Sequence, residues 1–220
     1  MLGFFVTGTD TGIGKTYFTL ACIRALQSHG ITTTAMKPVA SGAQLIDGQL
    51  RNADALQIQQ ELKQTVDYEL INPYCFEPAV SPHIAATQAG VSIELELIKQ
   101  GYDRLCTEAD YAIVEGVGGW LAPLSNDYSV ADLARAIGLP VVIVVGIRLG
   151  CLNHARLTRQ AIDTSGVSLA GWVANCFEAE ISAIDEQIAY LTQALAMPPL
   201  AIMGRHQANI AINSLPGLAI

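Results

Sequence analysis

The sequence of 220 residues is poor in basic side chains, with 12 Lys and Arg against 20 Asp and Glu. Its formal net charge is therefore -8. An acidic chain repels the phosphate backbone that supplies most nonspecific affinity for nucleic acid, and no basic run offsets this charge. We therefore expect no nucleic-acid partner.

Cysteine pairs and long apolar runs are also lacking. The five cysteines are widely spaced and contain no C-x-x-C pair, which fits neither a zinc site nor a disulfide framework. The longest apolar run, residues 139–145, is far shorter than the roughly 20 residues that cross a bilayer. Residues 1–6 lack a basic region and a cleavage site. We expect a soluble, cytoplasmic protein without a membrane partner.

What the sequence does contain is an alternation of apolar runs and helical patterns. A chain of this length suits one compact domain, residues 1–220. Short, nearly continuous apolar runs predict buried strands at 2–7, 31–36, 111–114, 140–145 and 169–174. Helices are predicted at 15–28, 53–62, 93–106, 130–137, 154–164 and 182–195, with Asn52, Ser92, Ser129 and Asn153 as caps. Proline-rich residues 63–89 are interpreted as active-site loops. The order predicts an α/β fold with a mainly parallel sheet flanked by helices.

A phosphate loop lies between the first predicted strand and helix, at residues 8–16 (GTDTGIGKT). Backbone N–H groups and the helix N-terminus can cradle phosphates there, while Lys15 neutralises them and the Thr16 hydroxyl reaches magnesium. Five residues, rather than four, separate Gly8 from Gly14, so we interpret it as a variant of the Walker A loop. The fold expected is thus three-layered and similar to P-loop NTPases.

Two carboxylates are candidate ligands for the metal of MgATP. Glu115 follows a hydrophobic strand and belongs at the carboxyl edge of the sheet, where open α/β proteins bind ligands. Asp54 lies in the first turn of a predicted helix, where it could equally serve to compensate the helix dipole.

A second lysine, Lys37, ends the second predicted strand and should emerge at the same edge as the phosphate loop. Pro38 stops that strand, and Ser41 offers a hydroxyl next to Gly42. A net-acidic protein that holds a polyanion has an electrostatic reason to place a second cation there.

Eight blocks in the same order resemble the dethiobiotin synthetase family, over residues 4–175. They are residues 8–16, 37–42 (KPVASG), 51–55 (RNADA), 72–74 (NPY), 81–83 (SPH), 114–120 (VEGVGGW), 150–155 (GCLNHA) and 170–175 (AGWVAN). The resemblance implies that 7,8-diaminopelargonate, carbon dioxide and ATP give dethiobiotin, ADP and phosphate. It also implies Mg²⁺ as cofactor and a homodimer with the substrate site at the interface.

The resemblance also implies site residues. A substrate carbamate would attack the γ-phosphate, and ring closure would displace phosphate. The catalytic residues would be Lys37, Lys15 and Ser41, and the metal ligands Thr16, Asp54 and Glu115. ATP would contact Thr11, Gly12, Ile13, Gly14, Lys15, Thr16, Asp54, Glu115, Gly118 and Asn175, the last reading the adenine. The other substrates would contact Thr11, Lys37, Ser41, Gly118, Cys151, Leu152 and Asn153, with Asn153 capping a helix whose positive end suits a carboxylate.

The sequence departs from the family at several points. Gly12 stands where some relatives have Glu, and residues 203–207 (MGRHQ) lack the usual proline. The far side of the adenine pocket is thus not predicted by the resemblance. Tyr190 could stand near the substrate carboxylate as a family tyrosine does, and His83 is interpreted as shaping its loop.

Two other functions are compatible with a P-loop. A cobyrinate-type amide ligase would normally bring a glutaminase partner or domain, for which the chain has no room. A ParA-like ATPase switch carries an extra lysine early in its loop, where this chain has residues 9–11 (TDT).

Overall fold

The computed structural model describes residues 1–177, 182–204 and 210–218. The strands are β1 (Leu2–Gly8), β2 (Thr33–Met36), β3 (Val39–Ser41), β4 (Gln44–Ile46), β5 (Gln49–Arg51), β6 (Tyr74–Phe76), β7 (Tyr111–Glu115), β8 (Val141–Gly146), β9 (Leu169–Cys176) and β10 (Ala201–Gly204). The helices are α1 (Lys15–Ser28), α2 (Ala53–Glu61), α3 (Tyr68–Ile71), α4 (Pro82–Ala89), α5 (Leu95–Leu105), α6 (Val130–Ile137), α7 (Cys151–Ser165) and α8 (Ile184–Ala194). Short 3₁₀ turns cover Cys106–Glu108 and Ile212–Ser214.

Six strands form the main sheet, in the order β10-β9-β8-β1-β7-β2, and every neighbouring pair is parallel. Strand β1 is central, between β8 and β7. All connections within this sheet carry helices, as parallel pairing requires. The prediction of a mainly parallel sheet flanked by helices is confirmed.

Both faces of the sheet are buried, so the architecture has three layers. Along β1, Phe4 and Val6 pack into the core under α1 and α2, whereas Phe5 packs into the opposite core, which holds residues of α4 to α8. The side chains of β8 alternate between the two cores in the same way, with Val142 in the first core and Ile143 in the second. This explains why its sequence is continuously apolar instead of alternating with polar residues.

The chain between β2 and α5 is more regular than predicted. Residues 63–89 contain α3, β6 and α4. Strand β6 pairs in parallel with β3, and β4 and β5 form an antiparallel hairpin. These strands have three residues each, too short for a recognisable apolar period. Strands β3, β4 and β5 lie between Lys37 and α2, and β6 follows α3.

The carboxyl ends of the central strands bring the predicted functional residues to one edge. The phosphate loop follows β1, Lys37 follows β2, and Glu115 ends β7. Asn175 lies near the end of β9. Among the described residues, no helix is long and apolar enough to span a membrane.

Candidate active site

The phosphate loop joins β1 to α1 through a glycine with a left-handed backbone. Gly14 is the N-cap of α1 with φ 89°. A Cβ at this position would collide with the Asn175 amide nitrogen and lie 2.8 Å from the Phe177 ring. Glycine is therefore required both for the turn and for the close approach of β9 to the loop.

Lys15 is folded back onto this loop and buried. Its ammonium donates to the carbonyl oxygen of Asp10 over 2.9 Å. Burial, together with the nearby charge of Lys37, lowers the pKa of Lys15 from 10.5 to about 8. A phosphate placed against Lys15 would replace the lost hydration of the ammonium and favour its charged form.

Lys37 lies between two carboxylates. Its ammonium donates to Asp54 Oδ2 over 2.8 Å and to Glu115 Oε1 over 2.7 Å. Burial alone would lower the pKa of Lys37, but the two carboxylates outweigh burial and raise that pKa above its usual value. Burial alone would raise the pKa of Asp54, but Lys37 outweighs it and holds that pKa below the usual range. Lys37 is therefore a charged group at neutral pH, unlike a lysine that acts as a base.

Glu115 is fully buried and links the phosphate loop to Lys37. Its Oε1 also accepts from the Thr16 hydroxyl over 2.7 Å. Its Oε2 is buried and has no hydrogen-bond partner among the described residues. A buried carboxylate oxygen without a partner is costly, and such an oxygen fits a cation.

These oxygens match the preferences of magnesium. Mg²⁺ is usually held by one or two carboxylates together with substrate phosphates and water. Glu115 and Asp54 supply the carboxylates and Thr16 a hydroxyl, all lining one cavity. Within the described ranges, no group of three or more His, Cys, Asp or Glu side chains is placed to hold a metal. A magnesium site here therefore depends on the nucleotide for its remaining ligands.

A cavity of about 320 Å³ collects most of the predicted site residues. This volume is in the range of small-ligand sites. Ten predicted residues line it, namely Thr11, Gly12, Gly14, Lys15, Thr16, Lys37, Ser41, Asp54, Glu115 and Gly118. Ala40, Asn52 and Val117 also line it and had not been predicted. The phosphate loop and the segment after β2 thus face each other across one space.

Asn175, the residue predicted to read the adenine, lines a smaller adjoining cavity of about 60 Å³. Ile13 and Asn175 line it together with Phe177 and residues of the loop after β8, and Gly12 borders both cavities. The Asn175 amide donates to the Ile13 carbonyl oxygen over 2.5 Å, while its own Oδ1 is buried and has no described partner. Phe177 packs edge-on against Tyr17, with ring centroids 4.7 Å apart. Residues 205–207, where the sequence departs from the family, lie outside the described residues.

The start of α7 corrects one prediction. The helix begins at Cys151 with Gly150 as N-cap at φ 94°, so Asn153 lies within the first turn and does not cap it. A left-handed glycine ends the preceding loop earlier than the Asn pattern suggested. Cys151, Leu152 and Asn153 do not line the 320 Å³ cavity. The Cys151 thiol is buried and donates to Gln187 on α8 over 3.1 Å.

Ser92 is also not a cap, because α5 begins at Leu95 with Glu94 as N-cap. Asn52 and Ser129 do cap their helices. Tyr190 lies on α8, where its hydroxyl accepts from Arg156 over 3.4 Å. His83 lies in the first turn of α4, with Nδ1 3.0 Å from the Ser81 hydroxyl.

Some contacts around the site involve residues that sequence reasoning did not single out. Arg148, after β8, forms an ion pair of 2.6 Å with Asp10 of the phosphate loop. The Asn72 amide donates to the Lys37 carbonyl oxygen over 2.7 Å, and Tyr68 hydrogen-bonds to Asn72. The block at residues 72–74 had pointed to Asn72, but nothing in the local pattern indicated its partner.

Comparison with known proteins identifies the family. The family model described as an AAA domain matches residues 3–208. An ATP-dependent dethiobiotin synthetase of Xanthomonas euvesicatoria pv. vesicatoria (strain 85-10) is 48% identical over 195 residues, which cover 89% of this chain and 87% of that protein. The protein of the same name from Pseudomonas paraeruginosa (strain DSM 24068 / PA7) is 46% identical over 206 residues, covering 93% of this chain and 90% of that protein.

The chain belongs to the ATP-dependent dethiobiotin synthetase family. Solved structures with the same fold include a ParA family ATPase from Chlorobium tepidum TLS, with a TM-score of 0.57 at 13% identity, covering 94% of this chain and 85% of that one. MinD from Aquifex aeolicus also has a TM-score of 0.57 at 13% identity, with 94% and 83% covered. At such identities the likeness shows the P-loop fold alone. The dethiobiotin synthetase relatives therefore decide the family, and a ParA-like switch or an amide ligase is not favoured.

Proposed function

We propose that the protein is an ATP-dependent cyclo-ligase that forms dethiobiotin from 7,8-diaminopelargonate and carbon dioxide. The observation that carries this proposal is the position of Lys37. Its ammonium lies in the same cavity as the phosphate-loop Lys15, beside Ser41. A P-loop alone holds a nucleotide. A second buried cation can in addition hold an anionic acceptor next to the γ-phosphate.

The reaction needs three bond-forming steps. One substrate amine adds to carbon dioxide and loses a proton, which gives a carbamate. A carbamate oxygen then attacks the γ-phosphorus, and the bond from that phosphorus to the β-γ bridging oxygen breaks, releasing ADP. The second amine attacks the carbonyl carbon of the mixed anhydride, so that phosphate leaves with the former carbamate oxygen and a second proton is lost. The ureido ring is then closed.

The protein contributes position and charge to these steps. Lys15 binds the β- and γ-phosphates, and Lys37 binds the carbamate and the γ-phosphate. Ser41 donates to the carbamate, and Thr11 and Gly118 contact the substrate near the loop. This proposal is supported by the fact that all five residues line one cavity.

Thr16, Asp54 and Glu115 are the proposed ligands of Mg²⁺. When bound with ATP, the ion neutralises charge on the phosphate oxygens. Glu115 also holds Thr16 and Lys37 in place through one carboxylate oxygen. Asn175 is proposed to read the adenine, for which its Oδ1, which has no partner among the described residues, offers an acceptor.

We further propose that residues 1–220 act as one synthetase domain in a cytoplasmic homodimer. The proposed substrate-binding residues include Cys151, Leu152 and Asn153, which do not line the 320 Å³ cavity. A second copy of the chain would therefore have to bring them to the substrate. The N–H groups at the start of α7 would suit the carboxylate of the diamine substrate. Sedimentation of the protein with and without substrates tests this assembly.

A direct assay measures ADP release by the purified protein with MgATP and bicarbonate, with and without the diamine. We expect release to depend on the diamine and to be matched by dethiobiotin detected by mass spectrometry. Equal ADP release in both mixtures would overturn the synthetase proposal and favour an ATPase switch.

A further inference from the structure

One tyrosine hydroxyl connects the two segments that carry Lys37 and Asp54. Tyr68, in α3, is buried, and its hydroxyl accepts from the backbone N–H of Asn52 over 2.7 Å. The same hydroxyl donates to Asn72 Oδ1 over 2.9 Å. Asn52 precedes α2 and Asn72 follows α3, so a single oxygen joins the ends of two helices.

The hydrogen bond from Asn52 connects the Tyr68 hydroxyl to Asp54. Asn52 caps α2, accepting at its side-chain oxygen from the N–H groups of Asp54 over 3.1 Å and Ala55 over 3.3 Å. The position of Asn52 therefore fixes the first turn of α2 and the point from which the Asp54 carboxylate reaches Lys37.

The Asn72 arm leads to Lys37. The Asn72 amide donates to the Lys37 carbonyl oxygen over 2.7 Å and to that of Tyr74 over 3.2 Å. The Lys37 N–H in turn donates to the carbonyl oxygen of Ile71 over 2.8 Å. Both backbone polar groups of Lys37 are thus held by the end of α3 and the residue that follows it.

We propose that Tyr68 is a positioning residue, whose hydroxyl sets Lys37 against Asp54 for phosphoryl transfer. This inference rests on the proposed function. Tyr68 and Asn72 do not line the 320 Å³ cavity, so they act only through residues that do. Lys37 and Asp54 lie 17 positions apart in the sequence, on two different backbone segments. Their contact of 2.8 Å therefore depends on how these segments are held relative to each other.

The Tyr68 ring is held independently of its hydroxyl. It packs in the core beneath α1 and α2, and the Arg51 guanidinium lies 4.1 Å from the ring centroid. Replacement by phenylalanine therefore removes the hydrogen bonds to Asn52 and Asn72, together with the 3.6 Å contact of the hydroxyl with Cys75 Sγ, and keeps the packing. This allows the positioning role to be separated from a role in the core.

The test compares Tyr68→Phe with Tyr111→Phe. Tyr111 is the matched control, because it is a buried tyrosine of the same core, and its hydroxyl donates over 2.6 Å to Pro216, a residue that does not line the cavity. For Tyr68→Phe we expect kcat for dethiobiotin formation to fall about 10- to 100-fold, because small displacements of reacting groups cause losses of this size. Its KM for ATP should change much less than kcat, because the phosphate loop, which holds the phosphates, is untouched. Tyr111→Phe should keep both constants.

A second variant covers the case in which Tyr68→Phe does not fold. Asn72→Ser replaces the amide by a shorter hydroxyl group, which removes the amide's donation to the Lys37 carbonyl oxygen and should lower kcat in the same way. Equal kcat for wild type, Tyr68→Phe and Asn72→Ser would overturn the positioning role, as would equal losses in Tyr68→Phe and Tyr111→Phe. Failure of the wild type to make dethiobiotin would instead overturn the proposed function, so the two results are distinguishable.

Discussion

At the scale of single residues, the site contains two buried lysines in contrasting electrostatic environments. Lys15 has a carbonyl oxygen as its partner and a pKa lowered by burial and by Lys37, whereas Lys37 has two carboxylates and a raised pKa. Lys15 is therefore the group whose charge depends most on an incoming phosphate. Lys37 is charged whether or not phosphate is present.

Nucleotide binding should consequently depend on pH through Lys15. Its folded-state pKa of about 8 lies below 10.5, so above pH 8 the free protein must take up a proton before the ammonium can meet a phosphate. We expect affinity for MgATP to fall as pH rises above 8, by at most about tenfold per pH unit. Calorimetry in two buffers of different ionisation enthalpy should detect proton uptake on binding at pH 9.

Lys15→Arg is the control, because arginine stays charged over this range and should flatten the pH profile even if binding is weaker. If the affinity of the wild type for MgATP is constant between pH 7 and 9.5 and no proton is taken up, the lowered pKa of Lys15 is contradicted.

Lys37→Ala should abolish dethiobiotin formation and retain nucleotide binding. It should also destabilise the free protein, because it leaves the fully buried Glu115 without its cation. Breaking one side of a buried pair costs about 3 to 5 kcal/mol. Urea unfolding without nucleotide measures this loss, and a nucleotide titration measures binding.

Lys99→Ala is the matched control for stability. Lys99 pairs with Asp103 on the exposed face of α5, and such pairs contribute about 1 kcal/mol or less. Product formation at the wild-type rate by Lys37→Ala would remove Lys37 from the catalytic set.

The sequence indicated Lys37, Ser41 and Glu115 because each lies in a short block next to a strand end. It could not indicate the Arg148 pair with Asp10, which joins residues 138 positions apart. Tyr68 was missed for the same reason, since a hydroxyl that bridges two helix ends leaves no local pattern. Contacts of this kind depend on how the elements pack, which periodicity does not encode.

At the scale of elements, helix boundaries could be predicted where side chains make the cap. Helix α6 has the predicted bounds because Ser129 and Asp132 form a capping box. Helix α7 begins three residues before the predicted start because a left-handed Gly150, rather than Asn153, precedes it. The short strands β3 and β6 could not be predicted, because each is defined by pairing with a distant segment.

The junction of the phosphate loop with α1 offers a test at this scale. Gly14→Ala should distort the loop, because the new Cβ would collide with Asn175 and the residue would be strained at φ 89°. We expect the affinity for MgATP to fall by at least about tenfold, equivalent to roughly 1.4 kcal/mol. Binding and urea unfolding are measured on the same preparation.

Gly166→Ala is the matched control. Gly166 also has a left-handed backbone, with φ 74°, but a Cβ there would have no neighbour within 4 Å. It should cost about 1 to 2 kcal/mol of stability from backbone strain and leave nucleotide binding unchanged. Equal affinities in the two variants would show that the contact between Gly14 and Asn175 does not shape the nucleotide site.

At the scale of the whole molecule, the fold is shared with a ParA family ATPase and the cell division protein MinD, and the fold alone does not decide the function. The arrangement around Lys37 distinguishes the proposed synthetase from a switch. Central strand β1 carries the phosphate loop, while β2 and β7 carry Lys37 and Glu115 to the same edge. Because all three are buried parallel strands, these groups are fixed relative to one another, as phosphoryl transfer requires.

The central claim is that a carbamate oxygen receives the γ-phosphoryl group, and oxygen transfer tests it most directly. The protein is supplied with MgATP, the diamine and freshly dissolved ¹⁸O-labelled carbon dioxide in unlabelled water. The reaction is stopped before the carbon dioxide exchanges its oxygen with water, and the released phosphate is analysed by mass spectrometry. Because phosphate leaves with the former carbamate oxygen, we predict one ¹⁸O atom in each phosphate formed with dethiobiotin. Unlabelled phosphate would show that water is the acceptor and would contradict the claim.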